Sequence, residues 1–216
     1  ELERFLNSGT TDGLNVTIPY KKPVMPLLDE ISPEAAAIGS VNTIVNRAGR
    51  LTGYNTDAFG FTWLLQKIGV DVAGKKALVF GSGGASATVC HVLKSLGADP
   101  VVVISRSGEN NYENLDRHTD AKILVNATPL GMYPENGTSP VDLACFDAPE
   151  GVLDVVYNPA RTALMQQAEA LSVPHARGLS MLVAQAKKAC EYFTDTEIPD
   201  TEIDRIERLL SLQMQN

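Results

Sequence analysis

The segment Phe80-Gly81-Ser82-Gly83-Gly84-Ala85-Ser86 constrains this chain more than any other. Before it, Ala77 to Phe80 is apolar at every position. After it, Ala85 to Leu96 has helical spacing and stops at Gly97. A glycine-rich turn between a buried-type strand and a helix lets backbone N–H groups at the helix start receive a pyrophosphate. Ser86 stands at the third fingerprint position, where Gly or Ala is usual, so the generic motif is imperfect. The bland alternative is a glycine-rich turn that binds nothing; the flanking elements favour binding.

The alternation continues downstream. Val101 to Ser105, Ile123 to Asn126 and Val152 to Val156 read as strands. The polar stretch Gly108 to Thr119 predicts one short helix, and Thr162 to Leu171 an amphipathic one. Apolar strands separated by helices form a parallel sheet covered on both faces. The expected class is α/β: a Rossmann-type doubly wound parallel sheet over residues 58–177, plus a smaller α/β domain built from residues 1–57 and 178–216.

Within the smaller part, Leu14 to Ile18 is a strand stopped by Pro19. Ser40 to Val45 and Arg50 to Tyr54 flank an Ala48-Gly49 hairpin turn. From Asp57 the spacing turns helical, with Phe61, Leu64, Leu65 and Ile68 on one face, Trp63 in the core and Gly69 as the stop. Leu179 to Phe193 and Thr201 to Met214 are closing helices expected to pack back on the N-terminal part.

A net charge of −8 argues against broad electrostatic binding to nucleic acid or an acidic membrane surface. Cys90, Cys145 and Cys190 are widely spaced and odd in number, which indicates reduced thiols in a cytoplasmic protein. His91, His118 and His175 show no metal-ligand spacing, so no metal is expected. No apolar run reaches the length that crosses a bilayer. The expected partner is a small molecule, and the chain a monomer or homodimer.

The end of the second nucleotide-domain strand selects the cofactor. An NAD site wants a carboxylate there for the ribose 2′-OH, whereas a 2′-phosphate wants Arg. Ser105-Arg106-Ser107 offers one guanidinium and two hydroxyls, with no carboxylate before Glu109, which favours NADP. Asn15-Val16-Thr17-Ile18-Pro19-Tyr20-Lys21 places a hydroxyl and an amine beyond a strand, where a lysine can stabilise oxyanion charge and pass a proton. Asp57, after Asn55-Thr56, reads on its own as a helix cap. Gly39 to Thr43 and Gly53 to Asp57 converge where the chain enters the nucleotide domain, which suits a small hydroxylated substrate.

Seven segments together resemble successive motifs of the shikimate dehydrogenase family, in that family's order. They are Asn15–Lys21, Gly39–Thr43, Asn55–Gly60, Gly81–Ser86, Asn126–Met132, Asp154–Pro159 and Gly178–Gln185. The resemblance implies NADPH-dependent, reversible reduction of 3-dehydroshikimate, with Lys21 and Asp57 as the catalytic pair. It implies Thr17, Asn42, Tyr157 and Gln185 as substrate-binding residues. Along the cofactor it places Gly81, Gly83, Gly84, Ala85, Ser86, Ser105, Arg106 and Ser107, with Thr128, Val155 and Gly178 near the nicotinamide half. Met132 and Met181 read as gap-fillers.

Members of that family usually begin with a strand carrying a Ser-x-Ser pair for the substrate carboxylate, whereas this chain starts at Glu1 in an apparent helix. The expectation is a piece of a longer natural protein, with an incomplete substrate domain that binds NADP but turns over little. Two alternatives stand beside this reading: a quinate/shikimate dehydrogenase using NAD, and a non-catalytic dinucleotide-binding module. Lys21→Ala separates enzyme from module, since only an enzyme loses turnover while keeping cofactor affinity.

Overall fold

The central strands of the larger sheet alternate their side chains between two separate cores, and that alternation organises the molecule. The computed structural model describes residues 2–6, 8 and 11–213; Glu1 and Met214, at the outer ends of the first and last predicted helices, lie outside the described residues. In the larger sheet, β5 (Ala77–Phe80), β6 (Val101–Ile104), β7 (Ile123–Asn126), β8 (Gly151–Asp154) and β9 (His175–Arg177) run parallel in the order β6-β5-β7-β8-β9.

Ala77 and Val79 face one core with α3 (Thr56–Ile68) and α4 (Gly84–Ser95), while Leu78 and Phe80 face another with α5 (Ala163–Ala170). The fold is therefore an α/β doubly wound parallel sheet. Phe61, Leu64, Leu93, Phe80 and Leu164 are fully buried. Each such side chain contributes roughly 1.5–3 kcal/mol by leaving water.

The smaller sheet has the order β1-β3-β4-β2, from β1 (Gly13–Asn15), β2 (Glu30–Ile31), β3 (Thr43–Arg47) and β4 (Arg50–Tyr54). Strands β3 and β4 form the predicted hairpin, turned by Ala48 (φ 52°) and Gly49 (φ 88°), with Asn46 Oδ1 accepting from Gly49 N at 2.9 Å. Both turn residues are left-handed, as a two-residue hairpin turn requires. Between β1 and β3 in sequence lie α2 (Pro33–Ile38) and a run of turns, and the short α1 (Leu2–Leu6) precedes them.

Helices α6 (Gly178–Thr194) and α7 (Thr201–Gln213) close the molecule. At Gly60 on α3 a Cβ would lie 2.7 Å from Met181 O and 3.1 Å from Gln185 Cβ, so the missing side chain lets α6 lie directly on α3. The far end of α6 is tied to the small sheet: Arg47 Nη2 donates to Tyr192 O and Phe193 O at 2.9 and 3.1 Å, and the Tyr54 and Tyr192 rings stack 3.9 Å apart. Lys67 of α3 meets Glu207 of α7 and donates to Ser180 Oγ at 3.0 Å.

The strand at Leu14 starts one residue earlier and ends at Asn15, not Ile18. Beyond it Val16 N bonds Asn42 O and Tyr20 N turns back to Thr17 O, because Pro19 offers no N–H to a ladder. The stretch after Gly108 holds a 3₁₀ helix at Tyr112–His118, and the strand at Val152 spans Gly151–Asp154. Strand β9 carries no sequence signal, since His-Ala-Arg has no β-branched residue and a single small apolar one; its pairing with β8 makes it a strand. Trp63 is only partly buried, packed on the Leu179, Val183 and Ile203 cluster, with its indole N–H unpartnered among the described residues.

Candidate active site

A cleft of about 470 Å³ opens between the two sheets, lined by Asn15, Val16, Thr17, Lys21, Asn42, Asp57, Ala85, Val155, Tyr157, Gly178, Met181, Leu182 and Gln185. Three parts of the chain meet there: the turn after β1, the first turns of α3 and α6, and the carboxyl edge of the parallel sheet. That edge is where doubly wound sheets take their ligands.

Asp57 does not cap α3. The cap is Asn55, whose Oδ1 accepts from Ala58 N at 3.2 Å and whose Nδ2 donates to Ser40 O at 2.9 Å. Asp57 is freed for the cleft, where its Oδ2 accepts from Lys21 Nζ at 2.5 Å. The two side chains are 21% and 16% exposed, so the pair is sheltered yet reachable from the cleft.

Behind this pair lies a buried hydroxyl–amide network. Asn42 Oδ1 accepts from Thr56 N at 2.8 Å and Thr43 Oγ1 at 3.0 Å, while its Nδ2 donates to Thr56 Oγ1 at 3.0 Å. Thr56 Oγ1 also reaches Gln185 Oε1 at 3.3 Å, which the close α3–α6 approach at Gly60 makes possible. Thr17, in the turn after β1, and Tyr157, in the loop after β8, line the same cleft, and Tyr157 is exposed.

The glycine turn forms the nucleotide-side wall. Gly81 has φ 105°, and a Cβ there would lie 2.9 Å from both Ala127 O and Thr128 Cγ2. At Gly83 and Gly84 a Cβ would meet nothing within 4 Å. Gly83 is the N-cap of α4, and no side-chain cap takes the first N–H groups of the helix. This suits a pyrophosphate: the space beside the helix start is empty of side chains, and the helix dipole favours an anion there. Ser86 is buried at 3% exposure with its Oγ 4.0 Å from Cys90 Sγ, so its hydroxyl is inside the helix packing, away from the cleft that Ala85 lines.

Ser105, Arg106 and Ser107 follow β6, the strand next to β5, with Arg106 and Ser107 exposed. Ser105 N donates to Asn110 O at 3.2 Å, which closes the loop. Burial pushes the Tyr112 phenol up, partly offset by the charge of nearby Arg106. These three residues do not line the cleft; they stand along the same carboxyl edge, one strand away. Gly178 is packed against the loop after β8 so closely that a Cβ would lie 2.2 Å from Val155 O.

The sequence reading missed Asn15, Val16 and Leu182 as cleft residues. Met181, read as a gap-filler, both lines the cleft and packs in the core. It also left Asp154 without a role. That residue has no exposed surface, and burial pushes its carboxyl up to about 6, against the lowering effect of bonds from Thr162, Val156 N and Asn126.

A model of the shikimate dehydrogenase substrate binding domain matches residues 1–44. The shikimate dehydrogenase (NADP(+)) of Caldanaerobacter subterraneus subsp. tengcongensis is 38% identical over 201 residues, 84% of this chain and 72% of that protein. Shikimate dehydrogenase 1 from Peptoclostridium difficile superposes with a TM-score of 0.88 at 37% identity, over 100% of this chain and 83% of that one. Shikimate 5-dehydrogenase from Thermus thermophilus, solved in complex with NADP(H) and shikimate, gives 0.84 at 32% identity, over 96% and 83%.

Proposed function

Because the chain belongs to the shikimate dehydrogenase family, we propose that its cleft carries out the reversible reduction of 3-dehydroshikimate to shikimate with NADPH. The chain is an NADP-dependent oxidoreductase of the shikimate pathway, which leads to chorismate and the aromatic amino acids. The observation that carries this reading is the Lys21–Asp57 pair, 2.5 Å apart at the meeting point of the substrate-side turn and the nucleotide-side sheet.

Bound NADPH supplies the hydride. The residues of the chain do the rest. Lys21 donates a proton from Nζ to the carbonyl oxygen as negative charge grows there, and Asp57 orients the ammonium for that transfer. In the reverse direction the same amine takes the hydroxyl proton. Asn42, Thr17, Gln185 and Tyr157 hold the substrate hydroxyls, so the reacting carbon stays in line with the nucleotide-side wall. The N–H groups at the start of α4, with Gly81, Gly83, Gly84, Ala85 and the backbone of Ser86, seat the pyrophosphate. Arg106, with Ser105 and Ser107, holds the 2′-phosphate, and Thr128, Val155 and Gly178 border the nicotinamide. On this reading residues 1–57 and 178–216 form the substrate side and 58–177 the nucleotide side, in a cytoplasmic monomer or homodimer. No helix among the described residues is long and apolar enough to cross a membrane.

The test is NADP⁺-dependent oxidation of shikimate, followed at the nicotinamide absorbance, with quinate and NAD⁺ as controls. Turnover, slow as it is expected to be for this chain, should appear with shikimate and NADP⁺. Turnover only with quinate and NAD⁺ would overturn the substrate and cofactor assignment.

A further inference from the structure

The proton transfer described above makes no use of Asp154, yet a fully buried carboxylate is costly and needs a reason. Its partners are all neutral. Oδ1 accepts from Asn126 Nδ2 at 2.9 Å and from Val156 N at 3.0 Å, and Oδ2 accepts from Thr162 Oγ1 at 2.7 Å. The charged residue opposite it in sheet register is Arg177 on β9, whose guanidinium is bound to Ala160 O and Ser211 Oγ. From β7 and α5 the groups that face it are the Asn126 amide and the Thr162 hydroxyl.

Through these bonds one side chain holds two loops. Asn126, at the end of β7, accepts from Thr128 N at 3.0 Å and Thr128 Oγ1 at 2.6 Å, and donates to Leu130 O at 3.1 Å. Its amide can serve Thr128 with its oxygen only while its nitrogen faces Asp154 and Leu130. Thr128 in turn abuts Gly81 of the glycine turn. On the other side, the bond to Val156 N sets the turn of the chain between Val155 and Tyr157, both of which line the cleft. Asp154 is thus the shared acceptor between the loop after β7 and the loop after β8.

We propose that Asp154 is a positioning residue: it fixes the loops that carry Thr128, Val155 and Tyr157 in one arrangement, and its negative charge maintains the cofactor-binding form of that wall. This rests on the reading of these loops as the nicotinamide-side wall. The charge matters because ionised acceptors hold their donors about twice as strongly as neutral ones. Its raised carboxyl range brings its loss of charge close to physiological pH.

The experiment measures NADP⁺ binding directly, by titration calorimetry from pH 5 to pH 8, on the wild-type chain and on Asp154→Asn. Asparagine keeps the shape and an acceptor oxygen but stays neutral. At pH 8 the variant should bind NADP⁺ about tenfold more weakly, the effect of about one charge-assisted hydrogen bond. The ratio of the two affinities, in which titration of the cofactor's own phosphate cancels, should fall towards one as the pH drops below about 6. Thr162→Val, which removes a donor that favours the charged form, should move the midpoint of the wild-type curve upward; Thr162→Ser should leave it in place.

An affinity ratio of one at every pH would overturn the positioning role while leaving the enzyme assignment intact. If Asp154→Asn fails to fold, the Thr162 pair decides, and an unmoved midpoint in Thr162→Val refutes the proposal. Failure of the wild-type chain to bind NADP⁺ at any pH would remove both this proposal and the functional reading beneath it.

Discussion

Replacing Gly83 by alanine should separate cofactor binding from folding, and the neighbouring Gly81 supplies the control. At Gly83 the backbone sits at φ −81°, ψ −169°, which any residue adopts, and a Cβ would meet nothing within 4 Å. Alanine loses a little as an N-cap, roughly 0.5–1 kcal/mol, and regains about 0.4–1 kcal/mol through a less flexible unfolded chain. The net change in unliganded stability is close to zero. At Gly81 the φ of 105° is strained for alanine, and its Cβ would press on Ala127 O at 2.9 Å. Strain and overpacking together cost about 2–4 kcal/mol, or about 4–16 °C in Tm for a chain of this size.

The liganded state reverses the contrast. At a concentration near 100 times Kd, NADP⁺ stabilises the wild-type chain by about 2.7 kcal/mol, a Tm rise of about 5–11 °C. On the proposed reading, a methyl at position 83 stands where phosphate oxygens reach the first N–H groups of α4. A tenfold loss of affinity would cut that rise to about half at the same concentration. Thermal unfolding of the three proteins with and without NADP⁺ is the assay. If Gly83→Ala loses as much unliganded stability as Gly81→Ala, or keeps the full NADP⁺ shift, the assignment of this turn as the pyrophosphate seat is wrong.

Other predictions follow from the same geometry. Lys21→Ala should lower kcat by about 10²–10⁴ while the NADP⁺ shift in Tm persists; unchanged turnover would remove Lys21 from the chemistry. Arg106→Ala should weaken NADP⁺ binding about tenfold to a hundredfold and leave NAD⁺ binding unchanged, and equal losses for the two nucleotides would refute its 2′-phosphate role. Asp154 also makes a pH prediction for stability. Its folded carboxyl range is raised from 3.8 to about 6 by burial. Its contribution is therefore fully present below about pH 4 and is lost as pH rises through about 6, an order-of-magnitude change of about 3 kcal/mol. Denaturant unfolding of the wild-type chain should show that decline and Asp154→Asn should not; parallel pH curves would contradict the burial argument.

The chain's own order of residues determined four of the five strands of the larger sheet. Apolar runs such as Ala77–Phe80 and the first three residues of Ile123–Asn126 are buried on both faces, so their hydrophobicity is continuous and their strand assignment needs no knowledge of neighbours. The glycine turn and the Ala48-Gly49 hairpin were equally legible, because left-handed backbone demands particular residues. Lys21 and Asp57 were legible only through resemblance to a family, since a lone lysine and a helix-start aspartate each have an ordinary reading.

What tertiary structure alone decided is which polar groups meet. Asn55 and Asp57 are both competent caps for α3, and only packing of Asn55 under Ser40 gives it the cap and leaves Asp57 to Lys21. Strand β9 exists because β8 offers it an edge. Met181 faces core and cleft at once because Gly60 lets α6 approach α3. Asp154 reads in sequence as a loop-edge aspartate, yet the structure buries it among donors from three places in the chain. Local patterns report propensity and burial along one element; the partner of buried Asp154 lies 28 residues away and that of half-sheltered Asp57 36 residues away, and no local pattern encodes that distance.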